Sequence, residues 1–286
     1  MIAARSAFLS LDEDNPVNWD HPINVGMRAC YKAIGGTGFF GGNTLRDMCR
    51  RKYPKLDGSP TSGMLWDGTA APNQYGSLRF NGSNYINCGG ATELDVTTGD
   101  FAFCAAVSYV GTGQANFLID KTTGPGANGY QILLGISSTT GMVSFRMNNS
   151  IRVDSAGPWN DGHWHLILCT RLSGTIYMYI DGGSRGSAAF STSITNTSAS
   201  LQIGARNGGS IFTGGYINDV CVWPSRGFSA ADATQHYVEW LQGDRHRFNW
   251  LSRRSYSFAA GGGGGGFAFN PSLIRKRKSQ SILLRM

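Results

Sequence analysis

The stretch Asn160–Gly183, NDGHWHLILCTRLSGTIYMYIDGG, decides the fold class of this chain because nearly all of it fits one β-hairpin. His163–Arg171 is an apolar and aromatic run with few breakers. Thr175–Ile180 alternates along the chain with the period of two that is typical of a strand. Ser173-Gly174 lies between the two runs and supplies the turn. The stretch therefore predicts two antiparallel strands.

The register of this hairpin depends on the length of its turn. Met178 and Ile180 lie on one face of the second strand. A two-residue loop would set Ile167 and Cys169 beside them. A bulged three-residue loop would set Leu166 and Leu168 there instead. The sequence predicts an apolar face in both cases and leaves the register open.

The order of these motifs resembles the centre of laminin-G-like, concanavalin A-like jelly rolls. Within the hairpin the resemblance is carried by Asp161-Gly162, Trp164-His165 and Tyr179-Ile180-Asp181-Gly182. The flanking segments that also resemble this family are Leu78–Ile86, Asp100–Tyr109, Leu201–Gly204, Phe212–Trp223 and Phe228–Ala231. Val17–Asn24 is similar to a leader found ahead of such domains in bacterial and phage proteins. The family's fold hosts lectins, glycan hydrolases, adhesion modules and structural proteins, so the resemblance implies a fold more than a function.

The rest of the chain agrees with an all-β, antiparallel two-sheet jelly-roll sandwich. Short apolar runs separated by Gly, Asn, Ser and Thr follow one another at close spacing. We predict strands at Leu78–Phe80, Tyr85–Cys88, Phe101–Tyr109, Asn116–Asp120, Gly129–Ile136, Val143–Met147, Trp164–Thr170, Ile176–Ile180, Leu201–Ile203 and Tyr216–Trp223. The predicted divisions are an irregular N-terminal arm (1–60), the jelly roll (61–228), a helix with an Arg/aromatic extension (229–258) and a Gly-rich basic tail (259–286).

One helix is predicted after the last strand. Ser229 is suited to the N-cap, and Asp232 three residues later completes a capping box. Tyr237, Trp240 and Leu241 are predicted to share the buried face, and Gly243 ends the helix.

Composition bounds the class of protein. The chain has 286 residues, of which 40 are glycine and 15% are charged, as in turn-rich β proteins. No apolar run is long enough to predict a membrane span, and the first residues do not resemble a secretory signal. We therefore expect synthesis in a cytoplasm without export.

The six cysteines show no CxxC spacing, so they predict free thiols and neither a zinc site nor a redox motif. Four of them are expected to be buried in strands: Cys88, Cys104, Cys169 and Cys221.

Catalytic patterns are weak. Retaining glucanases of this fold place paired carboxylates about 5 Å apart, but the three glutamates here lie in the arm, a loop and the helix. Glu93 and Asp95 fit solvated loop acids better than a catalytic pair. His163 and His165 flank Trp164 without a third ligand, so a packed or hydrogen-bonded His165 is favoured over a metal pair. We expect no enzyme activity.

Calcium is the cofactor that the resemblance would imply, at the rim of the sandwich. Asn148-Asn149 stands where a carboxylate would be expected, which weakens that prediction. Asp120, Asp154 and Asp219 are rim candidates and fit equally well as turn formers. The sequence therefore predicts no cofactor and no metal site.

The favoured function is that of a non-enzymatic structural or decoration protein of a larger assembly, such as a phage virion, that displays a jelly roll for surface or glycan recognition. The candidate ligand residues are Trp159, Phe212, Asn148 and Asn149. A free-standing carbohydrate-binding or adhesion module, at a cell surface, is the alternative, and a glycoside hydrolase is a disfavoured third. Virions assemble in the cytoplasm, which reconciles this fold with a chain that shows no export signal.

The net charge of +7 is concentrated near the C-terminus, where a hexaglycine divides two basic and aromatic segments. No nucleic-acid-binding fold accompanies the charge, so docking on an acidic, partly apolar protein surface is favoured over specific nucleic-acid recognition. The expected partners are further copies of the chain or other structural proteins. The predicted assembly contacts are Trp19, Phe39, Phe40, Arg245, Arg247, Phe248, Trp250, Arg253, Arg254, Phe267, Phe269, Arg275, Lys276, Arg277 and Lys278.

Overall fold

The computed structural model describes residues 9–11, 16–32, 40–41, 44–45, 47–52, 57–61, 65–67, 76–110, 116–124, 127–136, 139–148, 151–194, 198–207, 215–244, 246–248 and 250–252. No helix in this part of the chain has the length and apolar character needed to cross a membrane.

The described residues form strands and one α-helix. The strands are β1 (Leu9–Leu11), β2 (Ala29–Tyr31), β3 (Phe40–Gly41), β4 (Thr44–Leu45), β5 (Ser59–Pro60), β6 (Leu65–Asp67), β7 (Ser77–Phe80), β8 (Ile86–Asn87), β9 (Phe101–Tyr109), β10 (Asn116–Thr122), β11 (Gly129–Ile136), β12 (Thr139–Met147), β13 (Ile151–Asp154), β14 (Trp164–Leu172), β15 (Thr175–Ile180), β16 (Gly183–Ala189), β17 (Gln202–Ile203), β18 (Gly215–Trp223) and β19 (Trp250–Ser252). Helix α1 spans Ala230–Leu241, and short 3-10 helices lie at Pro22–Asn24, Met48–Arg51 and Thr92–Leu94.

Two antiparallel sheets pack face to face, which confirms the predicted jelly-roll sandwich. The seven-stranded sheet has the order β13-β12-β11-β10-β17-β8-β5, and the eight-stranded sheet has the order β16-β15-β14-β9-β18-β7-β6. Every pair is antiparallel, as the absence of crossover helices predicts. The core between the sheets is aliphatic and aromatic, and Phe103 of β9 stacks on Tyr130 of β11 with ring centroids 4.2 Å apart.

The hairpin β14–β15 has the register of a two-residue loop. Ile167 lies opposite Ile180, and Cys169 lies opposite Met178. Ser173 and Gly174 both have positive φ, 51° and 77°, which is the conformation of a type I′ turn. The first of the two predicted registers is therefore correct, because the turn has no bulge.

All ten predicted runs contain strands, but several strands were missed. β13 and β16 close one side of the sandwich, and the sequence of β16, GSRGSAA, lacks the branched and aromatic residues that mark strands. β2 is short and pairs with β18 beside β7. These strands form because their neighbours supply backbone partners.

The prediction that residues 1–60 form an irregular arm lying on something else requires correction for its described part. β2 is a strand of the eight-stranded sheet, and β5 pairs with β8 in the other sheet. The outer face of the eight-stranded sheet carries Leu168, Cys221 and Trp223, and residues from the 16–49 region pack on it. The arm therefore covers the chain's own apolar surface.

Two predicted assembly contacts, Arg247 and Phe248, are wrong for the same reason. Both are buried within the chain, where Asn18 donates its backbone N–H to the carbonyl of Arg247. Trp19 is partly buried on the same cluster, with Lys52 Nζ 4.3 Å from its ring centroid. These side chains are occupied by intrachain contacts.

Helix α1 begins as predicted. Ser229 and Asp232 form both hydrogen bonds of the capping box. The buried face consists of Ala233, His236 and Trp240, however, whereas Leu241 is 42% exposed. The prediction for Leu241 is therefore wrong, because the helix turns its 233–236–240 face towards the sheet.

The two ends of the described chain pair with each other. β1 and β19 form an antiparallel terminal ribbon in which Leu9 lies opposite Ser252 and Leu11 lies opposite Trp250. The side chains of Phe40 and Trp250 lie outside the described residues, although their backbones lie in β3 and β19. Phe39, Arg245, Arg253, Arg254, Phe267, Phe269, Arg275, Lys276, Arg277 and Lys278 also lie outside them.

Candidate functional site

A cleft of about 470 Å³ opens at the end of the sandwich where β7 and β9 end and β18 begins. Its walls combine aromatic rings with polar side chains and two glycines. The lining residues are Arg79, Phe80, Asn81, Ser108, Tyr109, Val110, Gly162, Gly215 and Tyr216. We call this feature the terminal cleft.

Cross-strand pairing aligns the polar wall of the terminal cleft. Tyr216 of β18 lies opposite Arg79 of β7 on one side and opposite Ser108 of β9 on the other. Directly opposed side chains share one face of a sheet, with Cβ atoms about 5 Å apart. A guanidinium, a phenol ring and a hydroxyl therefore form one row. Arg79 is exposed and Tyr216 is half-buried, so both can reach a ligand.

The next row along these strands places a glycine between two aromatic residues of the core. Gly215 lies opposite Phe80 on one side and opposite Tyr109 on the other. Neighbouring strands are about 4.8 Å apart, so Phe80 and Tyr109 lie about 10 Å apart across a position without a side chain. Both rings belong to the core between the sheets, so this row faces the interior of the sandwich, on the opposite side of the sheet from Arg79, Tyr216 and Ser108.

The turn after β7 holds the cleft's rim in place. Asn81 Oδ1 accepts hydrogen bonds from the backbone N–H and the hydroxyl of Ser83, at 3.0 and 2.9 Å. Asn84 Oδ1 accepts from the backbone N–H of Asn81 at 3.1 Å, and its amide donates to the carbonyl of Arg79. Such Asx-type bonds rigidify turns. The opposite rim is held by Ser108, whose hydroxyl donates to the carbonyl of Gly162 at 2.7 Å.

The terminal cleft offers stacking surfaces and neutral or cationic hydrogen-bonding groups. Burial raises the pKa of Tyr109, and the nearby charge of Asp161 raises it further, so its hydroxyl stays protonated at neutral pH. Arg79 is the charged side chain in the described lining. This set suits a polar, hydroxyl-rich ligand with an apolar face, and it contains no carboxylate for acid–base catalysis.

The predicted ligand residues are not brought together. Trp159 donates its backbone N–H to the carbonyl of Gly141 near the start of β12, and Asn148 follows the last residue of that strand. Gly141 and Asn148 are seven residues apart along this extended strand, so they lie about 23 Å from each other. Trp159 is partly buried against His165 and covered by Arg185, whose Cζ is 4.8 Å from its ring centroid.

Asn148 serves as a turn residue. Its φ is 48°, its Oδ1 accepts from the backbone N–H of Gly129, and its Nδ2 donates to the carbonyl of Ser193 at 3.1 Å. Asn149 and Phe212 lie outside the described residues. Phe212 is three residues from Gly215 of the terminal cleft, a reach of about 10 Å.

His165 is hydrogen-bonded, as favoured by the sequence. Its Nδ1 lies 2.7 Å from Asp181 Oδ2, and its Nε2 lies 3.2 Å from Asp161 Oδ1. Burial lowers the pKa of His165, but the hydrogen bonds and charges of Asp181 and Asp161 outweigh it and raise the pKa above its ordinary value. The side chain of His163 is 81% exposed and contacts Asp161. Both histidine rings therefore contact Asp161, and the ring of His165 is held between two carboxylates.

A polar row crosses the outer face of the seven-stranded sheet. The register aligns Asn87, Gln202, Asp120, Gln131, Arg146 and Arg152 on six neighbouring strands. Burial raises the pKa of Asp120, while hydrogen bonds from Asn207, Gln131 and Thr122 oppose the shift. Amides and guanidinium groups occupy the rest of this row, so no second carboxylate accompanies Asp120 within it.

The remaining candidate carboxylates are engaged in ion pairs. Glu93 contacts Arg28 at 3.5 Å, and Asp95 contacts Lys121 at 2.5 Å. Asp154 contacts Arg152 at 2.9 Å, and Asp219 contacts Lys32 at 2.6 Å. Asp120, Asp154 and Asp219 lie within strands, so these three do not form a common site at the rim.

Arg79 and Tyr216 were not singled out from the sequence. Each lies in a predicted strand. An aromatic or charged residue that alternates with apolar residues there is typical of the solvent-facing side of a strand, so neither residue indicated a site. Only the pairing of β7 with β18 places them side by side. A possible signal was Gly214-Gly215 before an aromatic strand, because glycine at a strand start often marks a close approach.

Comparison with known proteins supports the architecture. A family profile described as the concanavalin A-like lectin/glucanases superfamily matches residues 80–234, which is more than half of the chain. No curated protein sequence matches the chain.

Several solved structures share the fold at low sequence identity. Domain 4 of the GH43 extracellular arabinanase AbnA from Geobacillus stearothermophilus, in complex with arabinotriose, is 17% identical with a TM-score of 0.54, covering 73% of this chain and 97% of that domain. The binding domain of botulinum neurotoxin DC in complex with SialylT is 14% identical with a TM-score of 0.56, covering 77% of this chain. The binding domain of Paraclostridial Mosquitocidal Protein 1 is 11% identical with a TM-score of 0.56, also covering 77% of this chain. This chain spans about half of each toxin structure, 52% and 56%.

Proposed function

The chain belongs to the concanavalin A-like lectin/glucanase superfamily, and from this premise we propose that it is a non-enzymatic carbohydrate-binding protein whose glycan lies in the terminal cleft. The observation that carries the proposal is the row formed by Arg79, Tyr216 and Ser108 in the wall of the terminal cleft. A sugar has an apolar ring face and a rim of hydroxyl groups. Tyr216 supplies a surface for the face, and Arg79 and Ser108 supply hydrogen-bonding groups for the rim.

Two kinds of ligand in similar structures guide the choice of probes. The arabinanase domain is in complex with arabinotriose, and a botulinum neurotoxin binding domain is in complex with SialylT. Arg79 pairs well with a carboxylate because guanidinium forms bidentate bonds. The proposal therefore favours an acidic glycan over a neutral arabino-oligosaccharide.

The test is binding of the full-length protein to immobilised oligosaccharides, with sialylated and arabino-oligosaccharides as the first probes. We expect Arg79→Ala and Tyr216→Ala each to weaken binding by roughly 10-fold or more, since contacts of this kind contribute about 1–3 kcal/mol. Tyr177→Ala is the matched control. Tyr177 is also half-buried on this sheet, but it pairs with Thr170, six residues along β14 from Trp164 at the cleft end.

Absence of binding to every oligosaccharide would refute carbohydrate recognition. Binding that persists unchanged in Arg79→Ala and Tyr216→Ala would move the site away from the terminal cleft. Hydrolysis of a bound oligosaccharide by the pure protein would overturn the non-enzymatic part of the proposal.

We further propose that this carbohydrate-binding domain is displayed on a larger assembly, such as a virion, through its terminal segments. The terminal ribbon supports this arrangement because β1 and β19 bring the two terminal segments side by side. Residues 259–286 carry the hexaglycine and the RKRK run, which suit a flexible connection to an acidic partner surface. Deletion of 259–286 is expected to leave glycan binding unchanged and abolish co-sedimentation with the native particle. Unchanged co-sedimentation would return the protein to the class of free-standing modules.

A further inference from the structure

Four of the six cysteines lie in one buried cluster on the outer side of the eight-stranded sheet. This thiol cluster consists of Cys30, Cys49, Cys104 and Cys221, and each residue has zero exposure. Cys221 of β18 lies directly opposite Cys30 of β2 on one side and opposite Cys104 of β9 on the other. The register thus aligns three thiols on three neighbouring strands.

A carboxylate is directed into the same cluster by a break in the register. β18 has a bulge between Asn218 and Cys221, and Asp219 within it has a φ of 61°. The other described non-glycine residues with positive φ lie in turns or just beyond a strand end. A left-handed residue inside a strand costs about 1 kcal/mol or more, and bulges often re-aim a side chain. Here the bulge brings Asp219 to the side of the sheet that carries Cys221.

The donor atoms lie close to one another. The Sγ atoms of Cys30 and Cys221 are 2.7 Å apart, and Cys221 Sγ is 3.8 Å from Asp219 Oδ1. The ligand atoms of Cys30, Asp219 and Cys221 all lie within 4.8 Å of one another. Ligand atoms that lie about 2.3 Å from a tetrahedral zinc ion are about 3.8 Å from one another. A change in the Cys30 side-chain rotamer that moves its Sγ atom about 1 Å away from that of Cys221 would therefore give the two sulfur atoms this spacing.

An orienting contact holds the carboxylate of this group in place. The Sγ atom of Cys104 lies 3.6 Å from the carbonyl oxygen of Asp219, outside the set of three mutually close donor atoms. The second carboxylate oxygen of Asp219 is held by Lys32 Nζ at 2.6 Å, as metal-binding carboxylates are typically oriented by a further hydrogen bond. Two sulfur atoms and one carboxylate oxygen match the donor preference of zinc and not that of magnesium or calcium.

The surrounding charges allow such an ion. Lys32 and Arg247 are buried beside Asp219 and Asp244, which balances two cations against two carboxylates. A divalent ion bound by the two thiolates of Cys30 and Cys221 adds no net charge, so the cluster can hold zinc without an uncompensated buried charge.

We propose that Cys30, Cys221 and Asp219 form a buried structural site for a thiophilic divalent cation of the zinc class. Binding releases the thiol protons of the two cysteines and joins β2 to β18. The ion would fasten the N-terminal segment to the jelly roll, and because all three ligand residues have zero exposure it is inaccessible to a substrate.

The experiment uses the full-length protein, expressed with zinc in the medium and purified with a reductant but without a chelator. Elemental analysis is expected to give about one zinc per chain, and cobalt exchanged into the site is expected to show thiolate-to-cobalt charge-transfer absorption. Cys221→Ala should lose the metal. Cys169→Ala is the matched control, because Cys169 is equally buried in the same sheet but faces the core between the sheets.

Measurements on the unmodified protein keep the proposal falsifiable even if Cys221→Ala does not fold. Absence of both zinc and a cobalt–thiolate spectrum in the full-length protein overturns the proposal. A mass two hydrogens below that of the reduced chain, assigned to a Cys30–Cys221 disulfide, also overturns it. Equal metal loss in Cys221→Ala and Cys169→Ala would place the metal elsewhere.

Discussion

Replacement of Arg171 by methionine should destabilise the fold more than any surface substitution of an arginine. Arg171 lies in β14 with zero exposure, and its guanidinium reaches two segments outside the hairpin. Nε donates to the carbonyl of Gly99 at 2.8 Å, Nη1 donates to the carbonyl of Thr192 at 3.1 Å, and Nη2 donates to the carbonyl of Thr97. Its Cζ lies 4.9 Å from the ring centroid of Phe101.

The magnitude follows from these contacts. Hydrogen bonds to a charged donor contribute about 1.5 kcal/mol or more each, so three of them contribute about 4–5 kcal/mol. Methionine retains most of the packing volume and avoids the cost of burying a charge. This offsets about 1–2 kcal/mol of the loss in hydrogen-bond free energy. The expected loss in the free energy of unfolding is therefore about 3 kcal/mol, or a fall in Tm of roughly 6–12 °C.

The assay is urea unfolding of the full-length protein followed by tryptophan fluorescence. Arg152→Met is the control, because the guanidinium of Arg152 is also engaged, with Nε 2.9 Å from Asp154 Oδ2, but its side chain is 58% exposed. Exposed ion pairs contribute about 0–1 kcal/mol. If Arg171→Met loses no more stability than Arg152→Met, the three carbonyl contacts do not stabilise the fold and the reasoning fails.

Two further predictions concern a titrating group and a close contact. The pKa of His165 is raised in the folded state, so the stabilisation from its protonated ring is fully present below the unfolded pKa of about 6.5 and is lost as pH rises through the folded value. The difference in urea midpoint between the wild type and His165→Gln should therefore shrink from pH 5.5 to pH 8. A difference that does not change with pH would contradict this prediction. A methyl group on Gly204, where φ is 81°, would overlap the ring of Phe80, so Gly204→Ala should cost about 2–4 kcal/mol in thermal unfolding. Gly157→Ala, with φ of 101° and open space at the same position, should cost about 1 kcal/mol, and equal losses would show that the ring contact has no effect.

Local chemistry in the sequence was enough to predict the layers of this fold. The alternation of Thr175–Ile180 and the Ser173-Gly174 turn specify a hairpin because side chains two residues apart must share a face. Ser229 and Asp232 likewise specify the helix start, since both bonds of a capping box form within four residues. The hairpin register remained open until the φ angles of the turn were known, because both loop lengths give an apolar face.

The terminal cleft and the thiol cluster were decided by contacts between segments far apart in the chain. Arg79 meets Tyr216 across 137 positions of sequence, and Cys30 meets Cys221 across 191. Arg247 appeared to be a tail residue available to a partner, yet it is buried against Asp244 and His236. Sequence patterns report a residue's own strand and face, whereas the partner on the next strand is set by sheet order and register. Those two quantities follow from the packing of the whole sandwich, and only the tertiary structure supplies them.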